Sequence, residues 1–407
     1  MKKSLLLASA LLIACSINVG ALTWPEALSL ASQKSNQIKS ARKQLDAYQW
    51  SYYKAYSNFL PQVSANASEG ESFNASGSSK SYSYGLSASQ SIFKGLSNYF
   101  NLRSAAVNYD YYRANLKNTE AEAYYALRQA FVELLIAQQN VAVREKIRQS
   151  RADNARMIKL LYGSGKEDKG NYLRTQAQLA DAEFNIASAQ RQLSLARLKL
   201  AQLLDTDMTS AEGDPQVAAA DLPDFDSLTR QSPSFLMAKY QLELADLNHQ
   251  DTWSEFLPSI SLNASYQKSG SDWPPATSSK SWSLSLSLPI FPGGSNFADR
   301  LIYGLQLEKA REDFAKNQKD IYYSVKDAYE SLKDAIDGYS AQNKYLEASA
   351  ERSKIAQVKY LNGLTTYYEW DQIQNEYINN QIGRLNANRN ALLAEASFYK
   401  SYGGYIK

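Results

Sequence analysis

Apolar residues follow two different spacings along this 407-residue chain. In two regions, residues 63–88 and 260–290, they alternate with polar residues, as in a β-strand with one buried face. Each region contains two alternating runs, and in the first region a tip rich in Gly, Ser and Asn separates them at residues 70–80. The alternation therefore predicts two β-hairpins, at about 62–92 and 259–291.

Elsewhere the apolar residues step by four and three, which is the spacing of a coiled-coil seam. Residues 97–161 contain no proline or glycine, and residues 296–362 contain only Gly304 and Gly338. At about 1.5 Å per residue, each stretch would form a helix on the order of 100 Å long. One chain cannot bury so long and thin a core, so the pattern predicts lateral association. The stripe of the first long helix comprises Ala123, Leu127, Ala130, Leu134, Ala137 and Val141.

The two halves of the chain repeat each other. Phe-Leu-Pro at 59–61 recurs at 256–258, a shift of 197, and Ile-Phe at 92–93 recurs at 290–291, a shift of 198. A period this long indicates a duplicated domain rather than a solenoid. Each half is predicted to consist of a helix, a β-hairpin, a long helix and a returning helix.

The domain boundaries follow from this duplication. The first repeat is predicted at residues 22–204 and opens with a helix over residues 24–58. A bridge rich in Gly, Pro, Ala and Asp covers residues 205–225. The second repeat is predicted at residues 226–407, and the two coiled-coil hairpins are expected at about 97–204 and 296–403.

The N-terminus has the pattern of an export signal. Two lysines precede an apolar run, residues 4–14, that is too short to span a bilayer. Ordinary cleavage would remove residues 1–21. The lipobox-like sequence that ends at Cys15 offers an alternative, in which residues 1–14 are removed and Cys15 is lipidated. Both alternatives predict an exported protein, and its single cysteine cannot form an internal disulfide.

Past this signal no apolar stretch reaches about 18 residues, so no transmembrane helix is predicted. A membrane crossing would then require a closed β-barrel, and single-chain barrels begin at about eight strands. Two hairpins supply only four strands. The chain is therefore expected to share a barrel with other copies of itself. The competing interpretation is a soluble hairpin packed on a helical bundle.

Composition excludes several classes of function. The net charge is +3, and Lys and Arg are scattered among acids, so no nucleic-acid partner is expected. The single histidine, His249, and the single cysteine offer no ligand set for a transition metal. Because no catalytic constellation or phosphate-binding loop is found, neither enzymatic activity nor a cofactor is expected.

Motifs at the junctions of the predicted elements resemble those of the TolC-like family of outer-membrane channels. Each motif alone is weak, but their order and duplication are specific and extend over nearly the whole mature chain. The motifs are residues 59–61 and 256–258 before the hairpins, 91–95 and 288–294 after them, and 162–165 and 360–364 at the helical turns.

The resemblance implies a fold, a location and partners. The fold would be a homotrimer with a twelve-stranded β-barrel in the outer membrane, continued by a periplasmic α-helical barrel. The protein would be the exit duct of a tripartite efflux pump or a type I secretion system. Its partners would be a periplasmic adaptor, also called a membrane fusion protein, and an inner-membrane pump or ABC exporter. The bridge at residues 205–225 would lie in an equatorial belt.

The resemblance also assigns roles at the two helical turns. Family members contact the adaptor through these turns, which here correspond to Gly165-Lys166 and Gly363-Leu364. The two glycines would at the same time act as ordinary helix C-caps, because they can take a positive φ.

The periplasmic gate of the family maps onto the same turns. The gate tyrosine is present as Tyr360, whereas the family's arginine is replaced by Thr365 and its two aspartates by Glu369 and Gln372. The matching acid of the first half is replaced by Asn171. Glu369 is expected to form a ring of three carboxylates at the narrow tip. The alternative for Glu369 is a solvated residue that the helix N-terminus favours.

Two kinds of function remain. One is a conduit, and the other is a non-conducting periplasmic or outer-membrane coiled-coil protein with a structural or adaptor role. An adaptor should carry one helical hairpin beside a biotinyl-lipoyl-like domain, whereas this chain is predicted to have two hairpins with strands of their own. This difference favours the conduit. Drugs, metals and secreted proteins all remain open as cargo.

Overall fold

The structure is a computed structural model that describes residues 21–74, 77–206, 210–213, 217 and 222–406. Cys15 and nearly all of the predicted signal segment lie outside the described residues. The first half contains α1 (Trp24–Lys34), α2 (Asn36–Ala55), β1 (Gln62–Asn74), β2 (Gly77–Lys94), α3 (Ser97–Gly163) and α4 (Lys169–Leu204). The second half contains α5 (Phe225–Gln231), α6 (Pro233–Asp251), β3 (Ser259–Gly270), β4 (Thr277–Ser287), α7 (Ser295–Leu361) and α8 (Tyr367–Ser401).

The continuous helix expected over residues 24–58 is wrong, because the chain turns between α1 and α2. Ser35 has a ψ of 117°, and its N–H donates to the carbonyl of Ala31 while its hydroxyl accepts from the N–H of Ile38. Ser35 therefore ends one helix and caps the next. The turn allows the fully buried Ile38 to join the core cluster that contains Trp24 of α1.

The four strands form one antiparallel sheet in the order β1-β2-β3-β4, so β1 and β4 are its edges. The ladder between β1 and β2 continues to the pair Asn74–Gly77. Most of residues 70–80, predicted as a tip, are therefore strand, and this part of the prediction is wrong. Cross-strand pairing outweighs the weak strand propensity of Gly, Ser and Asn there.

Strand β4 is shorter than predicted. It ends at Ser287, whereas the alternation predicted strand as far as Ile290. Ser287 pairs with Ser259, the first residue of β3, so β3 offers nothing to pair with the residues beyond. The sequence pattern thus extends past the end of the ladder that one chain can form.

The two faces of the sheet differ in chemistry. One face carries mainly Ser, Asn and Gln, and Ser68–Ser83 and Ser265–Ser281 hydrogen bond across it at 2.7 and 2.8 Å. Apart from Lys94 at the base of β2, every charged residue of the four strands falls on the opposite face, near the hairpin tips. That face is otherwise mostly apolar, with rows such as Val63, Ala88, Ala264 and Trp282.

The long helices form two coiled-coil hairpins. α3 packs along α4, α7 packs along α8, and contact between α3 and α8 joins the hairpins. α3 and α7 have 67 residues each, so each is about 100 Å long. Leu127, Ala130 and Leu134 of the predicted stripe are buried in a core cluster with α1 and α4. Within the described ranges, no helix combines the length and apolar character needed to cross a membrane.

Candidate functional site at the helical tips

The two turns at the ends of the coiled-coil hairpins share one backbone geometry. Gly165 and Gly363 have φ angles of 71° and 70°. Lys166 N–H and Leu364 N–H each donate to the carbonyl five residues earlier, at 2.9 and 2.8 Å. This is the Schellman arrangement, in which a glycine with positive φ ends the helix. The two glycines are thus C-caps, and the side chains of Lys166 and Leu364 are exposed.

Glu369 stabilises the start of α8. The Thr366 hydroxyl accepts the N–H of Glu369 at 3.2 Å, and the Glu369 carboxylate accepts the N–H of Thr366 at 3.3 Å. The Thr365 hydroxyl also donates to this carboxylate, at 2.6 Å. These hydrogen bonds, that of Thr365 first, lower the pKa of Glu369. Glu369 therefore closes a capping box, which is the helix-terminal role given above as the alternative.

Tyr360 belongs to an aromatic cluster at the tip. Its ring stacks on Trp370 with the centroids 4.8 Å apart and 7° between the planes, and Tyr367 meets it edge-on at 6.1 Å. Its hydroxyl donates to the carboxylate of Glu167, in the turn of the other hairpin. Burial, and then this hydrogen bond, raises the pKa of Tyr360. The acid that partners the tyrosine is thus Glu167, which the sequence comparison did not single out.

The remaining predicted gate residues make local contacts. Asn171 lies in the first turn of α4, and its side-chain amide donates to Glu167 at 2.8 Å and to Asp168 at 2.9 Å. Gln372 is exposed and donates to the hydroxyl of Tyr368 at 2.6 Å. Asn171 therefore contacts the acid that binds Tyr360, whereas Gln372 lies outside this hydrogen-bonded group.

A buried charge cluster ties α8 to the first hairpin, and sequence reasoning missed it. Asp371 is almost fully buried and pairs with Arg174 of α4 at 2.8 Å and with Arg151 of α3 at 3.5 Å. Gln178 donates to both carboxylate oxygens, at 2.9 and 3.1 Å, and Arg151 also donates to Asn375. Burial lowers the pKa of Arg151, and the neighbouring negative charge of Asp371 opposes this shift.

One sequence signal could have indicated this cluster. The buried stripe at the start of α8 follows helical spacing and includes a charged residue, which is costly to bury without a partner. Its partners lie about 200 residues away in sequence, so the pattern could not identify them. The stripe consists of Tyr367, Trp370, Asp371 and Gln374.

Among the described residues, no group of three or more His, Cys, Asp or Glu side chains could hold a metal ion.

Comparison with known proteins decides the family. The sequence profile described as "Outer membrane efflux protein" matches residues 27–206 and again residues 225–404. The chain belongs to this family. The two matched segments together include most of the chain, one in each half of the duplication.

Three proteins similar to this outer membrane efflux protein match it over nearly its whole length. It is 24% identical over 428 residues to the outer membrane efflux protein BepC of Brucella suis, covering 98% of this chain and 90% of BepC. A crystal structure of CusC matches with a TM-score of 0.85 at 19% identity, covering 93% of this chain and 92% of CusC. The open-state MtrE channel of Neisseria gonorrhoeae matches with a TM-score of 0.81 at 20% identity, covering 93% of this chain and 88% of MtrE. At these identities the structural likeness shows the fold alone.

These findings confirm several predictions for this outer membrane efflux protein. The resemblance to TolC-like channels, the duplicated fold and the outer-membrane location are all confirmed. No comparison supports a non-conducting adaptor. The gate and docking roles of individual residues stay predictions.

Proposed function

We propose that this chain is one third of a trimeric exit duct in the outer membrane. The duct passively conducts substrates that a periplasmic adaptor and an inner-membrane pump or ABC exporter deliver to it, as in a tripartite efflux pump or a type I secretion system. The observation that carries this proposal is an open four-stranded sheet joined to two 67-residue helices in one chain. Three copies would supply twelve strands, which is enough to close a barrel and satisfy its edges in lipid.

The chemistry of the sheet supports a water-filled conduit. An apolar outer face suits lipid, while a face of hydroxyl and amide side chains suits a lumen filled with water. Charged residues near the hairpin tips suit the polar surface of the membrane. The chain is similar both to a protein named for cation efflux and to one named for solvent efflux. Because similar ducts carry names for such different cargoes, we assign the choice of cargo to the inner-membrane partner.

The contacts at the tip support a closed gate. Tyr360–Glu167 and the pairing of Asp371 with Arg151 and Arg174 all cross between the two coiled-coil hairpins. Opening the tip by moving the second hairpin outward would break these contacts. Because packed and paired interfaces switch between discrete arrangements, we propose that the tip opens as a unit.

The turns support docking of the adaptor. Leu364 presents an exposed apolar side chain, and Lys166 presents an exposed cation at the matching place in the first hairpin. We assign these two residues, with Gly165 and Gly363, to contact with the adaptor. Around a trimer, apolar and basic turns would then alternate.

Single-channel recording in planar bilayers tests the conduit and the gate together. Tyr360→Phe removes the hydroxyl that binds Glu167 and keeps the stacked ring, so we expect a trimer with higher conductance than the native protein. Tyr368→Phe is the matched control, because this exposed tyrosine contacts only the neighbouring Gln372 among the gate residues. A soluble periplasmic monomer would contradict the proposal. So would a purified trimer that never conducts, even with Tyr360→Phe or Glu369→Gln.

A further inference from the structure

We propose that a groove between α4 and α8 binds small anions that carry several carboxylate or phosphate groups as they pass through the duct. The inference rests on the conduit proposed above and names a class of molecule that its wall favours. The groove follows one face of α3, with α4 on one side and α8 on the other. It consists of two cavities of about 510 and 430 Å³, and Arg144 and Ile382 line both of them. Cavities of about 300–1,000 Å³ are the usual size for small ligands.

Positive charge predominates in this α4–α8 groove. Two acids, Glu133 and Asp181, line it, and the buried Asp371 beneath it pairs with two of its arginines. Five cations against three carboxylates leave an excess of two positive charges in each chain, and of six in a trimer. The five cations are Arg144, Arg151, Arg174, Lys199 and Arg389.

One end of the groove already shows two cations meeting a carboxylate. Lys199 of α4 lies 2.8 Å from one oxygen of Glu133, and Arg389 of α8 lies 3.7 Å from the other. Side chains from both flanking helices therefore reach across the groove to a single acid of α3. A lysine has three N–H donors and an arginine has five, so both residues can bind a second acidic group beside Glu133.

The middle of the groove offers hydrogen-bond donors without acceptors. Arg144 is half-buried and has neither an ion pair nor a hydrogen bond among the residues that the structure describes. The side-chain amides of Asn140, Gln192 and Asn386 line the same cavity and also lack a partner within the described ranges. A carboxylate or phosphate is the acceptor that guanidinium and amide groups bind most strongly.

Helix packing does not require these charges, as the duplication of the chain shows. α8 packs along α7 as α4 packs along α3, but the second pair has no charged side chain at three of the matching positions. Counted 198 residues onward, the counterparts of Glu133, Arg144 and Lys199 are Ser331, Gln342 and Ser397. The charges of the α4–α8 groove are thus additional to what a helical hairpin of this fold needs.

The groove lies on the opposite side of α3 from α1. The ring of Trp24 in α1 meets that of Phe131 in α3, with the centroids 5.7 Å apart. At about 100° per residue, Asn140 and Arg144 lie about 180° and 220° around α3 from Phe131. Three copies of α1 inside a ring of helices would obstruct the passage. In a conducting duct α1 therefore lies outside, and the groove lines the lumen.

A lumen wall with excess positive charge has a direct consequence for transport. The low-dielectric wall concentrates ions of the opposite charge, and rings of Arg or Lys side chains favour anions in pores. The groove would not select the cargo, which the inner-membrane partner delivers. It would favour the passage of acidic molecules over basic ones among those delivered.

Calorimetric titration of the full-length trimer in detergent with tripolyphosphate tests the site. The native protein should bind tripolyphosphate saturably, and more weakly as KCl screens the charges. Arg144→Gln and Lys199→Gln should each weaken binding by about tenfold or more, since each removes charge-assisted hydrogen bonds. Arg144→Gln breaks no contact of the described residues, so loss of folding is not expected.

Lys146→Gln is the matched control. Lys146 is an exposed cation of the same helix, about 200° around it from Arg144, and lies outside the groove. Its substitution removes one positive charge from α3 and should leave the binding of tripolyphosphate unchanged. If Lys146→Gln weakens binding as much as Arg144→Gln, the attraction is general to the protein surface and the inference is overturned.

Reversal potentials in planar bilayers across a KCl gradient test the role in transport. The trimer, native or with Tyr360→Phe, should prefer chloride to potassium, and combining Arg144→Gln with Lys199→Gln should move the reversal potential toward zero. A conducting trimer that prefers cations, or one that does not bind tripolyphosphate, overturns the inference and leaves the duct standing. A trimer that binds tripolyphosphate at the groove but never conducts contradicts the proposed function instead.

Discussion

The helical tip and the β-sheet, at the two ends of this protein, differ in whether their polar groups find partners within one chain. At the helical tip, the buried Asp371 finds its partners Arg151 and Arg174 within the same chain, and Tyr360 finds Glu167. At the sheet, the edges β1 and β4 have no partner strand among the described residues of one chain. Contacts within one chain can open and close again without separating subunits, whereas sheet edges in lipid must stay paired. We therefore expect movement at the tip and permanent assembly at the sheet.

The largest expected effect comes from breaking the charge cluster of the tip. Asp371→Ala leaves Arg151 buried without its counterion, which we expect to cost about 3–5 kcal/mol in the closed tip. The trimer should persist, because the sheet is untouched, while conductance and protease cleavage near the turns should rise. Glu376→Ala is the control. Its ion pair with Arg352, 2.8 Å between nitrogen and oxygen, is exposed to solvent and should stabilise the fold by only about 0–1 kcal/mol. Equal effects of the two variants would show that the cluster does not hold the tip closed.

An intermediate effect is expected when a glycine at the helical tip or a glycine at the sheet is replaced by alanine. Gly165 at the tip and Gly293 at the sheet have φ angles of 71° and 70°, and both meet open space in one chain. Alanine at either should cost about 1–2 kcal/mol from the left-handed backbone alone. Because Gly293 lies beside the sheet, through which the proposed trimer closes, Gly293→Ala should also lower the temperature at which the trimer dissociates on gels. A dissociation temperature equal to that of Gly165→Ala would argue against assembly through this part of the molecule.

The smallest effect is a pH dependence confined to the tip. The pKa of Glu369 is lowered from 4.5, so its contribution to the capping box is fully present above that value. As the pH falls toward the lower native pKa, the unfolded form binds the proton first and this contribution is lost. Protease cleavage near the second turn should therefore increase below about pH 4.5 in the native protein and less so in Glu369→Gln. Assembly through the sheet should not follow this titration.

Much of the fold was predictable from spacing alone. The shift of 197–198 residues identified the duplication, the alternation located both hairpins, and the long stretches without proline predicted α3 and α7. The turn at Ser35 was not predictable, because the burial of Ile38 against Trp24 decides it. The length of β4 was also mispredicted, because the alternation continues past the last partner that β3 provides.

The candidate site was only partly predictable. Tyr360 was identified and lies in the tip cluster, but its acidic partner Glu167 was not singled out. Asp371 was overlooked because family spacing directed attention to Glu369 and Gln372 on either side of it. A side chain's face on a helix follows from spacing, whereas its partner on another helix depends on how the helices pack.

The sequence alone determined the periodic features of this protein: two repeats, two hairpins with one apolar face each, and two helices about 100 Å long. These follow from local geometry, because a strand repeats every two residues and a helix about every 3.6. Only the tertiary structure decided which charges meet at the tip and how the hairpin registers match. Those contacts join residues up to about 220 positions apart, and only the packing of the chain brings them together.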